Sequence, residues 1–136
     1  MSNNSKVKII PCSGMGKVYG LMSREATLQT VTKLCPEQAE TICLAYLVTG
    51  DKEAKMRIAE QPCLTIDGCP MLCAAKSVAA MGGDVKERFK VLDVVKEHRG
   101  VQPGTATALT EGGWTIVDDI AARLEAKVRE VAGEGR

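Results

Sequence analysis

The chain has 136 residues, 45% hydrophobic and 26% charged, and its 18 lysine and arginine residues are nearly balanced by 17 acidic ones. This length suffices for one compact domain, and the balanced charge argues against nucleic acid or an anionic membrane as a partner. No apolar run approaches the roughly 20 residues that span a bilayer. The N-terminal MSNNSKVKII lacks the apolar region of a signal peptide, so we expect a cytoplasmic protein.

The first half of the chain predicts a strand, a helix and a second strand. KVKIIP, residues 6–11, reads as a strand that stops at CSGMG, and apolar positions at helical spacing then predict a helix over about 18–34. TICLAYLV, residues 41–48, is typical of a short buried strand. Thr49 or Asp51 would cap the polar helix that follows it.

The second half continues the same alternation. CLTID, residues 63–67, predicts a third strand that ends before Gly68, and Pro70 is suited to the first position of a helix. Gly82 would end that helix, and FKVLDVV, residues 89–95, predicts a fourth strand.

The remaining segment predicts a loop and a closing helix. Glycine and proline mark residues 98–110 as the loop, and regularly spaced apolar residues predict an amphipathic helix over about 110–131. Strands that alternate with helices favour a parallel sheet. We therefore expect an α/β, three-layer fold with about four mainly parallel strands and helices on both faces. It would form a single domain over 1–136, with its core at about 6–98.

Four of the six cysteines are predicted at one edge of this sheet. Cys12 comes just past the first strand, Cys43 lies in or near the end of the second, and Cys69 follows the third. Cys73 comes four residues after Cys69, so both could lie on the first turn of a helix, whose positive dipole end favours thiolates. Because ligands bind beyond the carboxyl ends of parallel strands, the pattern predicts a thiolate site for zinc or an iron-sulfur cluster.

An enzymatic use of the same thiols stays open at this point. Cys69 or Cys12 could be the nucleophile or persulfide carrier of a redox or sulfur-transfer enzyme, with Cys73 as the resolving thiol. Purely structural cysteines are a third possibility. Cys35 follows the first helix and Cys63 begins the third strand, at the opposite end from Cys69, so we place neither in the site.

Two further residues invite a chemical role. Asp67, beside Cys69, could accept hydrogen bonds from backbone N–H groups near the site, or it could simply form the turn before glycine. His98 is the chain's single histidine, so any cysteine–histidine device would have to use it. A solvated loop histidine is the commoner case.

The string IDGCPMLCAAKSV, together with PCSG and ICLAYLVTGD, resembles the DGC domain family, which is named after the motif seen here as Asp67-Gly68-Cys69. The resemblance covers roughly residues 7–98 and implies a zinc-binding site made by four cysteines. It leaves any protein partner and any reaction unspecified. The implied chelators are Cys12, Cys43, Cys69 and Cys73.

Overall fold

The computed structural model describes residues 6–12, 18–42, 44–59, 61–68, 73–105 and 107–134. The strands within these ranges are β1 (Val7–Cys12), β2 (Ala39–Thr41), β3 (Pro62–Asp67) and β4 (Asp84–Lys90). They form a sheet in the order β2-β1-β3-β4, and every neighbouring pair is parallel. The parallel sheet is confirmed.

Helices follow the strands in alternation, as the sequence pattern predicts. They are α1 (Val18–Gln29), α2 (Leu44–Val48), α3 (Lys52–Ile58), α4 (Cys73–Ala80), α5 (Val91–Val95) and α6 (Glu111–Glu134). The π-helical segment Thr30–Leu34 continues α1 directly, so the helix predicted over 18–34 is present with a change of pitch in its last turn. Asp51 caps α3 by accepting a hydrogen bond from the Ala54 backbone N–H at 2.9 Å.

The central strands are buried on both faces. On β1, Val7 and Ile9 pack in one core cluster with residues of α1, α5 and α6, whereas Ile10 packs in a second cluster with residues of α2, α3 and α4. Successive strand residues point to opposite faces, so each cluster covers one face of the sheet. We call these faces the α6 side and the α4 side. The three-layer arrangement is therefore confirmed.

The chain changes its direction across the sheet after β2. It reaches β2 through α1 on the α6 side, then crosses β1 to reach β3 through α2 and α3 on the α4 side. Right-handed crossovers impose this change of side when the direction reverses. The carboxyl ends of β1 and β3 are thus neighbours whose chains leave toward opposite faces, and open α/β sheets bind ligands at such switch points.

The strand predicted over 41–48 is wrong for most of its length. The strand ends at Thr41, and residues 44–48 form α2 instead. Leu47 is buried against the α4-side core, but Tyr46 and Val48 are 58% and 66% exposed. β-branched and aromatic residues favour strands only where a sheet surface is there to receive them. Here β2 is a short edge strand, and the apolar run extends past it.

The strand predicted over 89–95 is displaced. The observed strand is Asp84–Lys90, and residues 91–95 form α5. β4 is an edge strand rich in charged side chains, so it lacks the apolar signal of a buried strand. Val91 and Val94, three positions apart, are buried in the α6-side core, which is the spacing of one helix face.

A buried cation lies on the α4 side of the sheet near its amino end. Lys8 is 0% exposed, and its Nζ donates to the Lys6 carbonyl at 2.7 Å and lies 3.4 Å from Glu40 Oε1. Arg57 pairs with the same Glu40 oxygen at 2.7 Å. Burial lowers the pKa of Lys8, while the neighbouring Glu40 carboxylate opposes that shift.

The closing helix is confirmed as α6. Thr110 caps its start by accepting a hydrogen bond from the Gly113 backbone N–H at 3.0 Å.

His98 is paired rather than solvated, since its Nε2 lies 2.7 Å from Asp119 Oδ2 on α6. No helix among the described residues is long and apolar enough to cross a membrane. The α6 residues in the core cluster are Ile116, Val117, Ile120, Ala121, Leu124, Val128 and Val131.

Replacing Leu124 by alanine should show how much of the core α6 supplies. Leu124 is 0% exposed, so Leu124→Ala should lower the free energy of unfolding by about 2–5 kcal/mol through lost burial and a residual cavity. Urea denaturation followed by circular dichroism measures this. Met56→Ala is the control, since Met56 is 74% exposed and its loss should change stability by less than about 0.5 kcal/mol. Similar small effects for both variants would contradict the packing of α6 described above.

Candidate metal centre

The candidate site lies at the switch point, where β1 and β3 end side by side. Cys12 is the last residue of β1 and Asp67 the last of β3, and the two are register partners in the sheet. Cys12 packs against the α4-side core cluster. The next described element after β3, α4, begins with Cys73. The carboxyl ends of β1 and β3 and the start of α4 therefore lie at one edge of the sheet, and we call this place the crevice.

The two described thiols of the predicted site differ in exposure. Cys12 is half-buried and lies next to a core cluster that includes Ala74, the neighbour of Cys73. Cys73 is exposed. The backbone of Cys12 is held by α1, because the Ser23 hydroxyl donates to the Cys12 carbonyl at 2.8 Å. The backbone of Cys12 is thus held next to the core, whereas Cys73 is exposed to solvent.

Cys43 and Cys69, the other two predicted ligands, lie outside the described residues, as does Pro70, at which the helix was predicted to begin. Within the ranges that the structure describes, no group of three or more histidine, cysteine or acidic side chains could hold a metal ion. The four-cysteine site is therefore a prediction for which the structure describes two ligand positions.

Asp67 attaches α4 to the end of β3. Its carboxylate accepts hydrogen bonds from the backbone N–H groups of Ala74 at 2.8 Å and Ala75 at 3.4 Å. These N–H groups belong to the first turn of α4, where the helix supplies no internal acceptor. Asp67 is 1% exposed. Burial raises its pKa, and the two hydrogen bonds counteract part of that rise.

Gly68 lets the end of β3 approach the start of α1. A Cβ atom at this position would lie 2.8 Å from the backbone nitrogen of Gly20 and 2.9 Å from the carbonyl carbon of Tyr19. Such distances to backbone atoms exclude any side chain without a shift of one segment. The absence of a side chain at Gly68 therefore lets the end of β3 lie against the start of α1.

This arrangement favours negative charge in the crevice. α1 on one side of the sheet and α4 on the other both have their amino ends near the carboxyl ends of β1 and β3. A helix amino end carries a partial positive charge from its unpaired N–H groups. Thiolates placed between two such ends gain electrostatic stabilisation before any cation binds.

Cys35 and Cys63 have the properties of buried neutral thiols. Cys35 is 4% exposed and packs in the α6-side cluster, and burial raises its pKa. Cys63 is 0% exposed near the amino end of β3, and burial raises its pKa to about 12. Protonated thiols are poor ligands and poor nucleophiles.

Sequence reasoning identified Asp67 as a possible hydrogen-bond acceptor but missed its partners, and it missed the contacts of Gly68 and Ser23 altogether. The partners of Asp67 lie on the following helix, and a local pattern cannot specify such a contact. The sequence signal for the close approach at Gly68 was the glycine itself, which lies between Asp67 and Cys69.

A family model described as DGC domain matches residues 8–112 of the chain. The match begins at the second residue of β1, includes β2, β3 and β4, and reaches the first two residues of α6. Comparison with curated proteins and with solved structures gives no match.

Replacing Gly68 by alanine should destabilise the switch point. Because the added methyl group would meet the backbone of Tyr19 and Gly20, Gly68→Ala should lower the free energy of unfolding by about 1–3 kcal/mol. Gly133→Ala on α6 is the matched control, since a Cβ there meets nothing within 4 Å, and it should stabilise the helix by up to about 1 kcal/mol. Chemical denaturation measures both, and a neutral Gly68→Ala would contradict the close approach.

The contribution of Asp67 to stability should depend on pH. Its raised pKa means that the folded protein holds the proton more tightly than the unfolded chain. The wild-type stability should therefore fall relative to Asp67→Asn as pH rises from about 4 until the folded pKa is passed. Urea denaturation at several pH values measures this difference. Asp118→Asn, which removes an exposed carboxylate from α6, controls for net charge. If the wild type instead became more stable relative to Asp67→Asn as the pH rises, the pKa of Asp67 in the folded protein would be lowered, contrary to this prediction.

Proposed function

The chain belongs to the DGC domain family, and from this premise we propose that it binds a metal ion through four thiolates at the switch point of its sheet. The proposed ligands are Cys12, Cys43, Cys69 and Cys73. The observation that carries the proposal is the position of the two described thiols. Cys12 ends β1, and Cys73 begins α4, which is attached to the end of the neighbouring strand β3. This position of two cysteines that are far apart in the sequence supports the proposal.

Zinc is the proposed metal. Soft sulfur ligands suit Zn²⁺, and four thiolates complete its tetrahedral coordination. Such a site carries a formal charge of about −2 and leaves no open position for a substrate. The amino ends of α1 and α4 would offset part of that charge. The chemistry of this donor set favours metal handling, sensing or structural support over hydrolysis.

The exposure of Cys73 favours handling or sensing among these roles. A thiolate at the mouth of the crevice can exchange its metal with an incoming thiol, whereas a structural zinc is enclosed by its own protein. Cys12, half-buried and held through its carbonyl by Ser23, would be the fixed ligand. An iron-sulfur cluster on the same four sulfurs is the alternative cofactor, and it would favour electron or sulfur transfer.

A thiol relay is the second candidate function, and the solvent exposure of Cys73 is the observation that favours it. In a sulfur-transfer reaction, the thiolate of Cys69 or Cys12 would attack the outer sulfur of a donor persulfide. The products would be a cysteine persulfide on this protein and the free thiolate of the donor. Attack by the resolving thiolate of Cys73 on the sulfur attached to the protein would form a disulfide and release hydrosulfide.

The metal content of single-cysteine variants should distinguish these functions. Anaerobically purified wild-type protein should contain about one zinc per chain, and Cys12→Ser and Cys73→Ser should lose most of it. Cys63→Ala is the matched control, because Cys63 is buried near the amino end of β3 and its loss should leave the zinc in place. Elemental analysis for zinc and iron measures all four proteins.

Other metal contents would change or overturn the proposal. Several irons per chain would replace zinc by a cluster on the same ligands. A metal-free wild type would overturn metal binding and leave the relay, which requires that the folded, metal-free protein be alkylated rapidly at Cys73. If Cys63→Ala lost its zinc while Cys12→Ser and Cys73→Ser kept theirs, the metal would lie away from the proposed ligands.

A further inference from the structure

A small groove lies beside edge strand β2, between α1 and the start of α2. Its volume is about 180 Å³, and its walls are mostly apolar. Pro11 of β1, Leu28 of α1, Ile42 and Leu44 supply the apolar surface. Leu28 is 41% exposed, so the groove opens to solvent along α1.

The groove has one charged side chain among the described residues that line it. Arg24 of α1 is exposed and lines the groove, and it makes no hydrogen bond or ion pair within the described part of the chain. The two hydroxyl groups in the lining already donate their protons, from Thr27 to the Ser23 carbonyl at 2.9 Å and from Thr41 to the Ile9 carbonyl at 2.8 Å. The guanidinium of Arg24 is therefore the side-chain donor in this lining that remains available to a ligand.

We propose that this groove binds a small organic anion, namely a short-chain carboxylate. The carboxylate would pair with the Arg24 guanidinium, whose planar fork of N–H donors matches two carboxylate oxygens. The alkyl chain would lie against Pro11, Ile42 and Leu44. A volume of 180 Å³ is below the roughly 300–1,000 Å³ of pockets for drug-sized ligands, so the groove suits a short chain.

The neighbouring cavity on the other side of Thr41 does not compete for this anion. That cavity is about 390 Å³ in volume, and its lining includes the acidic residues Asp51 and Glu53. Its arginine, Arg57, is already paired with Glu40 at 2.7 Å. An anion would meet two carboxylates there, whereas the described residues that line the Arg24 groove include none.

The groove adjoins the segments that carry two of the cysteines discussed above. Pro11 immediately precedes Cys12, and Ile42 and Leu44 flank Cys43. A bound carboxylate would therefore lie next to the chain segments that lead into the crevice. Anion binding by Arg24 requires neither a metal nor a reactive thiol, so its test is independent of the proposed function.

Titration with butyrate, followed by two-dimensional amide NMR spectra of the full chain, tests this inference. Butyrate should give saturable shifts at Arg24, Leu28 and Leu44. Butylammonium, a cation with a similar alkyl chain, should give none of them. Arg24→Gln should weaken butyrate binding by about tenfold or more, the effect of losing a charged hydrogen-bond pair, and Arg24→Lys should retain part of the affinity.

Arg88→Gln is the matched control. Arg88 is an exposed arginine on β4, the opposite edge strand of the sheet, and its loss should leave butyrate binding unchanged. Preserved spectral dispersion in each variant shows that the fold is intact. Equal binding of butylammonium, an unchanged affinity in Arg24→Gln, or shifts that do not saturate by about 50 mM butyrate would each overturn the proposal.

Discussion

The hydrogen bonds from the start of α4 to the buried Asp67 carboxylate fix the geometry of the switch point. They join the last residue of β3 to the first turn of α4 across seven and eight positions in the sequence. Without this acceptor, the N–H groups of Ala74 and Ala75 would be buried and unpaired, which costs about 1–3 kcal/mol for each group. The position of Cys73, one residue before Ala74, follows directly from the attachment.

Gly68 complements Asp67 on the other side of the sheet. The carboxylate attaches β3 to α4, and the missing side chain of the next residue lets β3 approach the start of α1. One contact positions the amino end of α4 and the other the amino end of α1, both next to the carboxyl end of β3. The first two letters of the DGC motif are thus explained by positioning.

This geometry has an energetic cost that the fold must offset. Burial raises the pKa of Asp67, so at neutral pH its ionisation opposes folding even though its hydrogen bonds favour it. Lys8, on the same side of the sheet, is buried with a lowered pKa and is offset by Glu40. The aliphatic clusters on both faces supply the compensating stability, and α6 contributes a continuous apolar face to one of them.

The sequence predicts the parallel sheet and its layers well because those depend on repeated local patterns. The alternation of apolar strands with capped helices is visible without tertiary information, as the cap at Asp51 shows. The edge strands were misplaced because edges lack that pattern. β2 is three residues long and β4 is rich in charge, so in each case the apolar run next to the strand, not the strand itself, carried the signal. Both runs form short helices that pack one face on the core.

For the candidate site, the sequence predicts only the edge of the sheet at which it lies. Cys12 and Cys73 lie at the predicted edge because parallel strands share a direction, whatever their side chains do. Arg24 could not be recognised, since an exposed arginine on an amphipathic helix looks the same whether or not a groove lies beside it. Its significance depends on Leu44 and Ile42, which are brought next to α1 by the pairing of β1 with β2. A local sequence pattern therefore does not reveal a groove whose walls come from segments that only the pairing of the strands brings together.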